Sequence, residues 1–388
     1  MSTEPRTTNC DVVVLGGGMS GLALACHIAD RNDRQVEQAK TVWVIEPRAN
    51  YQQDKTWCFW QQHSTPFDAA ITHRWQRWQI SSEGQTHTCE CPELPYVRVD
   101  SGRYYAIAQE RLDRSSSVNL LTGIRANTLQ VDQAKVTVHC ENLQFVADYV
   151  YDTRPKGIAD DTLLQHFVGW EVETDNDAFD PQTVTLMDFQ TTTDGDIHFF
   201  YVLPFDKRHA LIETTHFSKT LLDDKTYARE LTHYLRAQLG VSNWQIQRKE
   251  GGVIPMPKNA PNPAQRKYYN VIPFGLHADT AKPSTGYCYP HAQHQAQHHM
   301  RSLFAAEVQV AEARKPLARW LDQVFISFLE HRPDHAADTF LQLFKRVPAQ
   351  VLIRFLSDNA RITDYLRVIT AMPKLLLIRE AIRCARNK

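Results

Sequence analysis

The chain has 388 residues, of which 43 are basic and 44 acidic, and its pI is near 7. This length exceeds the usual size of a single core and predicts two or three structural units. The balanced charge provides no overall field to attract nucleic acid, which excludes that class of partner. Eight cysteines are scattered without a CxxC pair, a pattern typical of a reducing cytosol without a zinc site.

The first ten residues, MSTEPRTTNC, are polar, and they predict no secretory signal peptide. Apolar runs all fall short of the roughly 20 residues that cross a bilayer. We therefore expect a protein that is soluble or bound to a membrane surface.

The segment DVVVLGGGMSGLALACHIAD predicts a strand, a glycine turn and a helix. In dinucleotide-binding proteins the three spaced glycines allow a tight turn, close approach of the backbone to pyrophosphate, and tight packing of helix on strand. The helix N-terminus then faces the anion. The predicted contacts come from Gly16, Gly17, Gly18, Met19, Ser20 and Gly21.

A second apolar strand, TVWVIEPR, ends in Glu46, which lies 25 residues after Gly21 and is followed by Arg48. A carboxylate at this point can accept hydrogen bonds from both hydroxyls of an adenosine ribose. The order of strand, turn, helix, strand and acid favours a dinucleotide cofactor over a glycine turn without a ligand. These elements leave both FAD and NAD open.

The aromatic-rich segments NYQQDKTWCFWQQH and HRWQRWQI follow and indicate a substrate region. Further on, VTVHCENLQFVADYVYDTRPKG alternates in the manner of strands, and DIHFFYVLPFDKRHALIETTHFS predicts a strand, a turn at Phe205 to Arg208 and a return strand. Together these segments predict an antiparallel sheet. From about residue 311 the pattern is helical. The absence of a low-complexity linker predicts that the structural units are interleaved.

With these motifs in this order, the sequence resembles the bacterial lycopene β-cyclases, flavoproteins with a fold like that of FAD-dependent hydroxylases. The order and spacing of many short motifs carry the resemblance. They are the glycine motif, Thr56-Trp57 with Phe59, Asp152 with Arg154, Gln165 with Phe167 and Gly169, Met187-Asp188, Leu203-Pro204, LIETTH, residues 250–255, PSTGY, and FLSDNARITDYLRVITAMP. Pro155, Asp279 and Lys282 depart from the family pattern.

The resemblance implies an α/β fold: a Rossmann-type FAD-binding domain interleaved with an antiparallel β-sheet substrate domain, plus a helical C-terminal region. Residues 1–50, 101–160 and 266–310 are assigned to the FAD-binding domain. Residues 51–100 and 161–265 are assigned to the substrate sheet, and residues 311–388 to the helical region. Further flavin contacts are expected from Gly275, Asp279, Thr285 and Gly286.

The resemblance also implies the chemistry, a redox-neutral cyclisation of lycopene to β-ionone rings. Glu213, in LIETTH, is the expected proton donor, because a carboxyl desolvated by apolar neighbours stays protonated near neutral pH. Asp152 and Asp188 are weaker candidates for this acid. Without the resemblance, a strand glutamate beside threonines is more typical of a solvated face. The flavin is expected to act in its reduced form, with NAD(P)H as reductant.

Several aromatic residues are candidates for the wall of a hydrocarbon pocket, where ring faces can stabilise a cation. They are Trp57, Phe59, Tyr105, Phe200 and Tyr201. Core packing is the alternative for each of them. His291, His294 and His298 share a helical face, which we interpret as solvated, and no metal site is predicted.

The segment from residue 361 to residue 388 contains seven basic and two acidic residues. Two interpretations remain open: a basic amphipathic helix on an anionic membrane, or a helix docked on the core. The expected partners are lycopene, related acyclic carotenoids and membrane lipid, with contacts to other carotenoid-pathway enzymes. The expected location is peripheral, on the cytoplasmic side of the cell membrane.

Two other functions remain open alongside the cyclase. An FAD-dependent monooxygenase of the same fold would consume oxygen together with NAD(P)H. A flavin-bearing protein that binds a polyene without converting it would release the polyene unchanged.

Overall fold

The computed structural model describes residues 5–132, 134–155, 157–190, 196–259, 266–278, 280–305, 308 and 314–386. Asp279, one of the expected flavin contacts, lies outside these residues. Strands and helices are numbered here in chain order. Short 3-10 turns lie at Val36–Gln38, Asp68–Ala70, Gly275–Ala278 and Pro333–His335.

The first large sheet contains the N-terminal strand. Its members are β1 (Arg6–Leu15), β2 (Val42–Glu46), β8 (Val118–Thr122), β9 (Thr128–Asp132), β10 (Lys135–His139), β11 (Leu143–Asp152) and β17 (Val271–Pro273). The order is β8-β2-β1-β11, with β17 also on β11, and all these pairs are parallel. The antiparallel hairpin of β9 and β10 extends the sheet from β11.

Both faces of β1 are buried, which explains its unbroken apolar run. Val12 and Val14 pack on one face in a core shared with the helices α1 (Met19–Arg34), α2 (Ser101–Arg114) and α4 (Tyr289–Leu303). Val13 and Leu15 pack on the other face, against residues of β10 and β11. The glycine turn at the carboxyl end of β1 is thereby fixed in place.

The second large sheet contains the LIETTH strand. Its members are β5 (Arg77–Ser82), β6 (Gln85–Glu90), β12 (Leu163–Thr174), β13 (Thr183–Phe189), β14 (Ile197–Pro204), β15 (His209–Ser218) and β16 (Trp244–Met256). The order is β16-β12-β15-β14-β13-β5-β6, antiparallel except between β13 and β5. One face packs on α3 (Asp224–His233) and the π-helical turn that follows it, Tyr234–Gln238.

The opposite face of this sheet packs against the C-terminal helices in the largest core of the molecule. These helices are α5 (Pro316–His331), α6 (Ala336–Arg346), α7 (Ala349–Leu356), α8 (Ile362–Ala371) and α9 (Lys374–Arg386). A small antiparallel sheet is formed by β3 (Thr56–Trp60), β7 (Tyr96–Asp100) and β4 (Ile71–Trp75).

The predicted fold class is confirmed: a mostly parallel sheet with a glycine turn is interleaved with a mostly antiparallel sheet and followed by helices. Within the described part of the chain, every helix is too short or too polar to cross a membrane.

Candidate active site

A cavity of about 500 Å³ is bounded by the glycine turn, β3, the second large sheet and the C-terminal helices. One part of its wall is polar backbone and small side chains, from Gly18, Met19, Ser20, Thr153, Thr285 and Gly286. Another part is apolar, from Leu186, Met187, Phe199, Phe217, Phe340, Leu343, Phe344 and Leu356. The cavity therefore joins an anion-compatible region to a hydrocarbon-compatible one.

The glycine turn has the geometry that a bound pyrophosphate requires. Gly16 adopts a φ of 98°, which favours glycine. A Cβ on Gly21 would lie 1.9 Å from the carbonyl oxygen of Gly16, so helix and turn are in close contact. A Cβ on Gly18 would meet no atom within 4 Å. Gly18 is the N-cap residue of α1 and has no side chain that could accept hydrogen bonds from the first N–H groups of the helix. These N–H groups are therefore open to an anion.

Glu46 is buried at the end of β2, directly beside this turn. Its carboxylate accepts hydrogen bonds from the backbone N–H of Gly17 (2.6 Å) and from Nε of Arg48 (2.8 Å). The Arg48 guanidinium also lies over the rings of Tyr51 and Tyr105. The acid is therefore held at the place where an adenosine ribose would approach.

The loop before α4 closes the same region. Gly275 has a φ of 66°, and a Cβ there would lie 2.8 Å from Oγ of Ser20, so this loop contacts the first turn of α1. Thr280 donates from its hydroxyl to the carbonyl oxygen of Gly275. Thr285 and Gly286 follow on the cavity wall.

Glu213 lies in a row of residues that runs across four strands of the second sheet. Tyr201 on β14 is opposite Glu213, Glu213 is opposite Gly169 on β12, and Gly169 is opposite Glu250 on β16. Side chains in register on neighbouring strands project to the same face. A Cβ on Gly169 would lie 2.9 Å from Cγ of Glu213. The glycine therefore provides the space in which the two carboxyl groups meet.

The two carboxyl groups differ in their surroundings. Arg248 forms an ion pair with Glu250, and the Thr56 hydroxyl donates to Glu250 at 2.9 Å. Glu213 is buried in the cavity wall and is hydrogen-bonded to Glu250. Burial, followed by the charge and hydrogen bond of Glu250, raises the pKa of Glu213 well above its usual value, and Arg248 and Lys55 oppose this only partly. Burial and the adjacent Glu250 therefore favour the protonated form of Glu213.

Tyrosine hydroxyls border the acid. The Tyr201 and Tyr96 hydroxyls are 3.0 Å apart, and the Tyr96 and Tyr287 hydroxyls are 3.4 Å apart. Burial raises the pKa of Tyr96 and Tyr201 well above 10, so both phenols stay neutral. Together with Trp57 and Trp60, these rings line the cavity and present aromatic surface rather than charge to a ligand.

The remaining aromatic candidates lie away from the cavity wall. Phe200 packs on Tyr234 on the opposite face of the sheet, with ring centroids 3.9 Å apart. Phe59 stacks on Tyr289 in the core that β1 shares with α1, α2 and α4. Tyr105 donates to Asp54 beside Arg48, close to Glu46 rather than Glu213.

The two alternative acids also lie outside the cavity wall. Asp152, at the end of β11, forms a two-pronged ion pair with Arg154, at 2.9 Å on each side. Asp188 accepts a hydrogen bond from the Tyr234 hydroxyl at 2.8 Å, and burial raises its pKa. Among the three candidate acids, the structure thus places only Glu213 against the hydrocarbon-compatible space.

Lys282, a departure from the family pattern, is buried and is not part of the cavity wall. Its ammonium group lies 2.9 Å from carboxylates of both Asp322 and Asp358. Arg314 and His291 complete this buried ionic group. The lysine therefore connects the loop before α4 to the C-terminal helices.

Among the residues that the structure describes, three potential metal ligands come together on the far side of the second sheet: His198, His216 and Glu230. The Glu230 carboxylate accepts hydrogen bonds from the Thr214 hydroxyl at 2.6 Å and from Nε2 of His216 at 3.0 Å. Nε2 of His198 lies 2.8 Å from the Thr214 hydroxyl. These hydrogen bonds link the three side chains through Thr214 and Glu230.

Sequence reasoning did not identify Glu250, Tyr96 or Tyr287 as site residues. Glu250 is 37 residues from Glu213 in the chain, and only the pairing of both strands with β12 brings them together. The segment KEGGVIPM, residues 249–256, did contain one indication of a site. Two glycines directly after the acid indicate that another group approaches the backbone closely.

Comparison with solved structures defines the class of fold. A geranylgeranyl bacteriochlorophyll reductase-like protein from Thermoplasma acidophilum aligns with a TM-score of 0.69 and 13% identity, over 96% of this chain and 98% of that one. The flavin-dependent monooxygenase PieE, solved in complex with FAD and substrate, aligns with a TM-score of 0.60 and 13% identity, over 94% of this chain and 71% of that one. The fold is that of the flavoprotein oxidoreductases.

Sequence comparison defines the family. The family model described as lycopene cyclase protein matches residues 11–381. A lycopene beta-cyclase of Pantoea ananas is 22% identical over 94% of both chains. Another, from Paracoccus sp. (strain N81106 / MBIC 01143), is 30% identical over 57% of this chain and 59% of its own length. The chain belongs to the lycopene cyclase family.

Proposed function

We propose that the protein is a lycopene β-cyclase that closes the acyclic ends of lycopene by proton addition and proton loss. The proposal rests on the position of the Glu213 carboxyl group, whose pKa is raised by burial in an apolar cavity and by the adjacent Glu250. A hydrocarbon offers no polar group to activate, so the proton must come from a protein group that is still protonated near neutral pH.

The proposed reaction begins with proton transfer from Glu213 to the terminal double bond. The resulting tertiary cation is attacked by a second double bond, which closes the six-membered ring. Loss of a different proton from carbon to the Glu213–Glu250 carboxylate pair then gives the β-ionone ring and restores the acid, so that product and substrate are isomers. Electrons and atoms balance without an oxidant.

The residues of the site match the demands of the cation. Trp57 and Tyr201 line the same cavity as Glu213, and aromatic rings in such a position can stabilise positive charge. After proton transfer, Glu213 becomes an anion beside Glu250, and Arg248 and Lys55 offset that repulsion. The apolar wall from Phe199, Phe217 and Phe344 excludes water, which would otherwise trap the cation as an alcohol.

FAD fits the anion-compatible part of the cavity. The open space at Gly18, the uncapped N-terminus of α1 and the buried Glu46 would hold its pyrophosphate and ribose. When bound and reduced, the flavin supplies a negative charge near the cation, a form of electrostatic stabilisation. NAD(P)H is the proposed reductant.

Because lycopene dissolves in lipid, we place the enzyme at the cytoplasmic surface of the cell membrane. Related acyclic carotenoids are proposed as further substrates. Contact with other enzymes of the carotenoid pathway is proposed as the route by which substrate arrives.

An anaerobic assay tests the proposed function. The FAD-loaded protein is reduced, freed of excess reductant and incubated with lycopene in detergent without oxygen. We expect β-ionone product in an amount that exceeds any oxidation of the flavin. Product that forms only with oxygen and in proportion to NAD(P)H consumed would identify a monooxygenase. Lycopene recovered bound and unchanged would identify a carrier.

Glu250→Gln tests the origin of the raised pKa. Because the protonated form of Glu213 is the active one, wild-type activity should be present at low pH and fall as pH rises through the raised pKa of Glu213. Removing the Glu250 charge, while Arg248 stays, lowers that pKa. The fall in activity should therefore move to lower pH, by about one unit or more if the charge contributes about 1.4 kcal/mol.

The measurement is the pH profile of single-turnover cyclisation by pre-reduced enzyme. Glu173→Gln is a suitable control, because Glu173 is an exposed glutamate on the neighbouring strand β12. A Glu250→Gln protein with an unshifted profile would show that Glu250 does not set the pKa of Glu213. A uniform loss at every pH would assign it a structural role only.

A further inference from the structure

Each of the last two helices, α8 and α9, exposes a row of aliphatic side chains. On α8, Ile362, Leu366 and Ile369 are exposed at a spacing of four and then three residues. On α9, Leu375, Ile378 and Ile382 are exposed at a spacing of three and then four. These spacings place each set on one helical face. Of the fifteen exposed large hydrophobic residues in the described part of the chain, these six belong to two consecutive helices.

The opposite faces of the same helices are docked on the protein. On α9, Glu380 accepts a hydrogen bond from the Ser327 hydroxyl of α5 at 2.8 Å, and Cys384 is buried. On α8, Val368 belongs to the largest core, and Asp364 is buried in a two-pronged pair with Arg354. The exposed rows are therefore fixed outward by packing on the inner side.

On these two helices the acidic side chains are buried and the basic side chains are exposed. Between residues 361 and 386 the only two acids are Asp364 and Glu380, which are 1% and 2% exposed. All basic residues in this stretch are exposed: Arg361, Arg367, Lys374, Arg379, Arg383 and Arg386. Within the described residues, no carboxylate lies in ion-pair distance of Arg367, Lys374, Arg379 or Arg386. The outer surface is thus aliphatic and cationic, without exposed negative charge.

We propose that the outer faces of α8 and α9 bind an anionic lipid bilayer. Aliphatic side chains insert at the level of the head groups, and the surrounding cations meet lipid phosphates and carboxylates. A protein partner with a matching acidic apolar face is disfavoured because the substrate, under the proposed function, is itself dissolved in lipid. The sequence left membrane binding and core docking of this tail open, and the structure accommodates both on opposite faces.

The position of α8 links this surface to the cavity. α8 packs against α6 and α7, and those two helices contribute Phe340, Phe344 and Leu356 to the cavity wall. Packed helices lie about 8–10 Å apart. A bilayer on the outer face of α8 would therefore lie one helix away from α6 and α7, the two helices that contribute to the apolar wall.

Vesicle binding by the full FAD-loaded chain tests the proposal. Wild type is mixed with phosphatidylcholine vesicles that contain or lack phosphatidylglycerol, and bound protein is measured by flotation. We expect binding to the anionic vesicles only, weakened by salt, because the charge attraction is screened. The Arg367→Gln, Arg379→Gln and Arg386→Gln triple variant should bind about a hundredfold more weakly, from roughly fivefold per charge.

Ile378→Asp with Ile382→Asp should weaken vesicle binding by a hundredfold or more, since each inserted isoleucine contributes about tenfold or more. Val36→Asp with Leu221→Asp is the matched control, because these exposed residues (75% and 55%) lie elsewhere on the chain. Both double variants should cyclise lycopene in detergent at the wild-type rate. Only the α9 variant should fail with lycopene embedded in anionic vesicles.

Unchanged vesicle binding by the α9 variant would overturn the proposal, as would equal binding of wild type to neutral and anionic vesicles. Wild type that ignores vesicles but forms a dimer, lost in the α9 variant by size-exclusion chromatography, would make this face a self-association surface instead. Wild type that binds vesicles as expected but forms no product in detergent would contradict the proposed function and leave the membrane surface standing.

Discussion

The Glu213→Gln protein should fold and bind FAD normally but cyclise lycopene about 10² to 10⁴ times more slowly than wild type, the usual contribution of a general acid. Glutamine keeps the shape of the side chain, and its amide can still donate a hydrogen bond to Glu250. What it lacks is the acidic proton. The measurement is single-turnover conversion by pre-reduced enzyme, which removes the pH dependence of the reductant.

Two further variants strengthen this test. Glu213→Asp should retain activity only to the extent that the shorter side chain still reaches the terminal double bond. Glu173→Gln, an equivalent change on the exposed part of β12, should have little effect. If Glu213→Gln were to cyclise at near the wild-type rate, the assignment of Glu213 as the proton donor would be wrong.

Gly18→Leu should yield a folded protein that has lost FAD. The backbone at Gly18 has a φ of −79°, which leucine adopts without strain, and the Cβ enters open space. The side chain then occupies the place of the pyrophosphate. Loss of two hydrogen bonds to a charged group, at about 1.5–3 kcal/mol each, weakens binding by two orders of magnitude or more.

FAD content after purification and the dissociation constant for added FAD are the readouts, with thermal unfolding as the check on folding. Gly157→Leu provides a control of the same size, because a Cβ there also meets no atom within 4 Å and Gly157 is not part of the cavity wall. A folded Gly18→Leu protein with full flavin absorbance would show that the pyrophosphate lies elsewhere.

The parts of the fold that depend on local pattern could be predicted from the sequence. The apolar run of β1, the three glycines and the second strand ending in Glu46 form a continuous local signature, and its physical basis is short-range. The apolar character of HALIETTHFS likewise predicted a strand, which is β15. The absence of a low-complexity linker predicted interleaved units, and the resemblance to a known family then supplied their identity as FAD-binding and substrate-binding parts.

The direction in which individual side chains point was harder to predict from the sequence. Phe199, Phe200 and Tyr201 are three consecutive aromatic residues, and a run without polar alternation does not indicate which side faces the cavity. Because neighbouring strand residues project oppositely, Phe199 and Tyr201 line the cavity while Phe200 packs on Tyr234.

That Glu250 is the partner of Glu213 could not be predicted from the sequence, for a different reason. Glu250 reaches it only because β12 pairs with β15 on one side and with β16 on the other, and because Gly169 leaves space between them. Register between distant strands is a property of the assembled sheet. The buried ionic group around Lys282 likewise depends on Asp322 and Asp358, which are 40 and 76 residues away in the chain.

The most direct test of proton-initiated, redox-neutral cyclisation is the anaerobic assay performed in deuterium oxide. The exchangeable proton of Glu213 is then a deuteron, which is delivered to carbon, while the proton lost at the end comes from lycopene itself. The product should carry one deuterium for each ring formed, with the flavin still reduced. Cyclised product without deuterium, or with an equivalent of flavin oxidised per ring, would contradict the account.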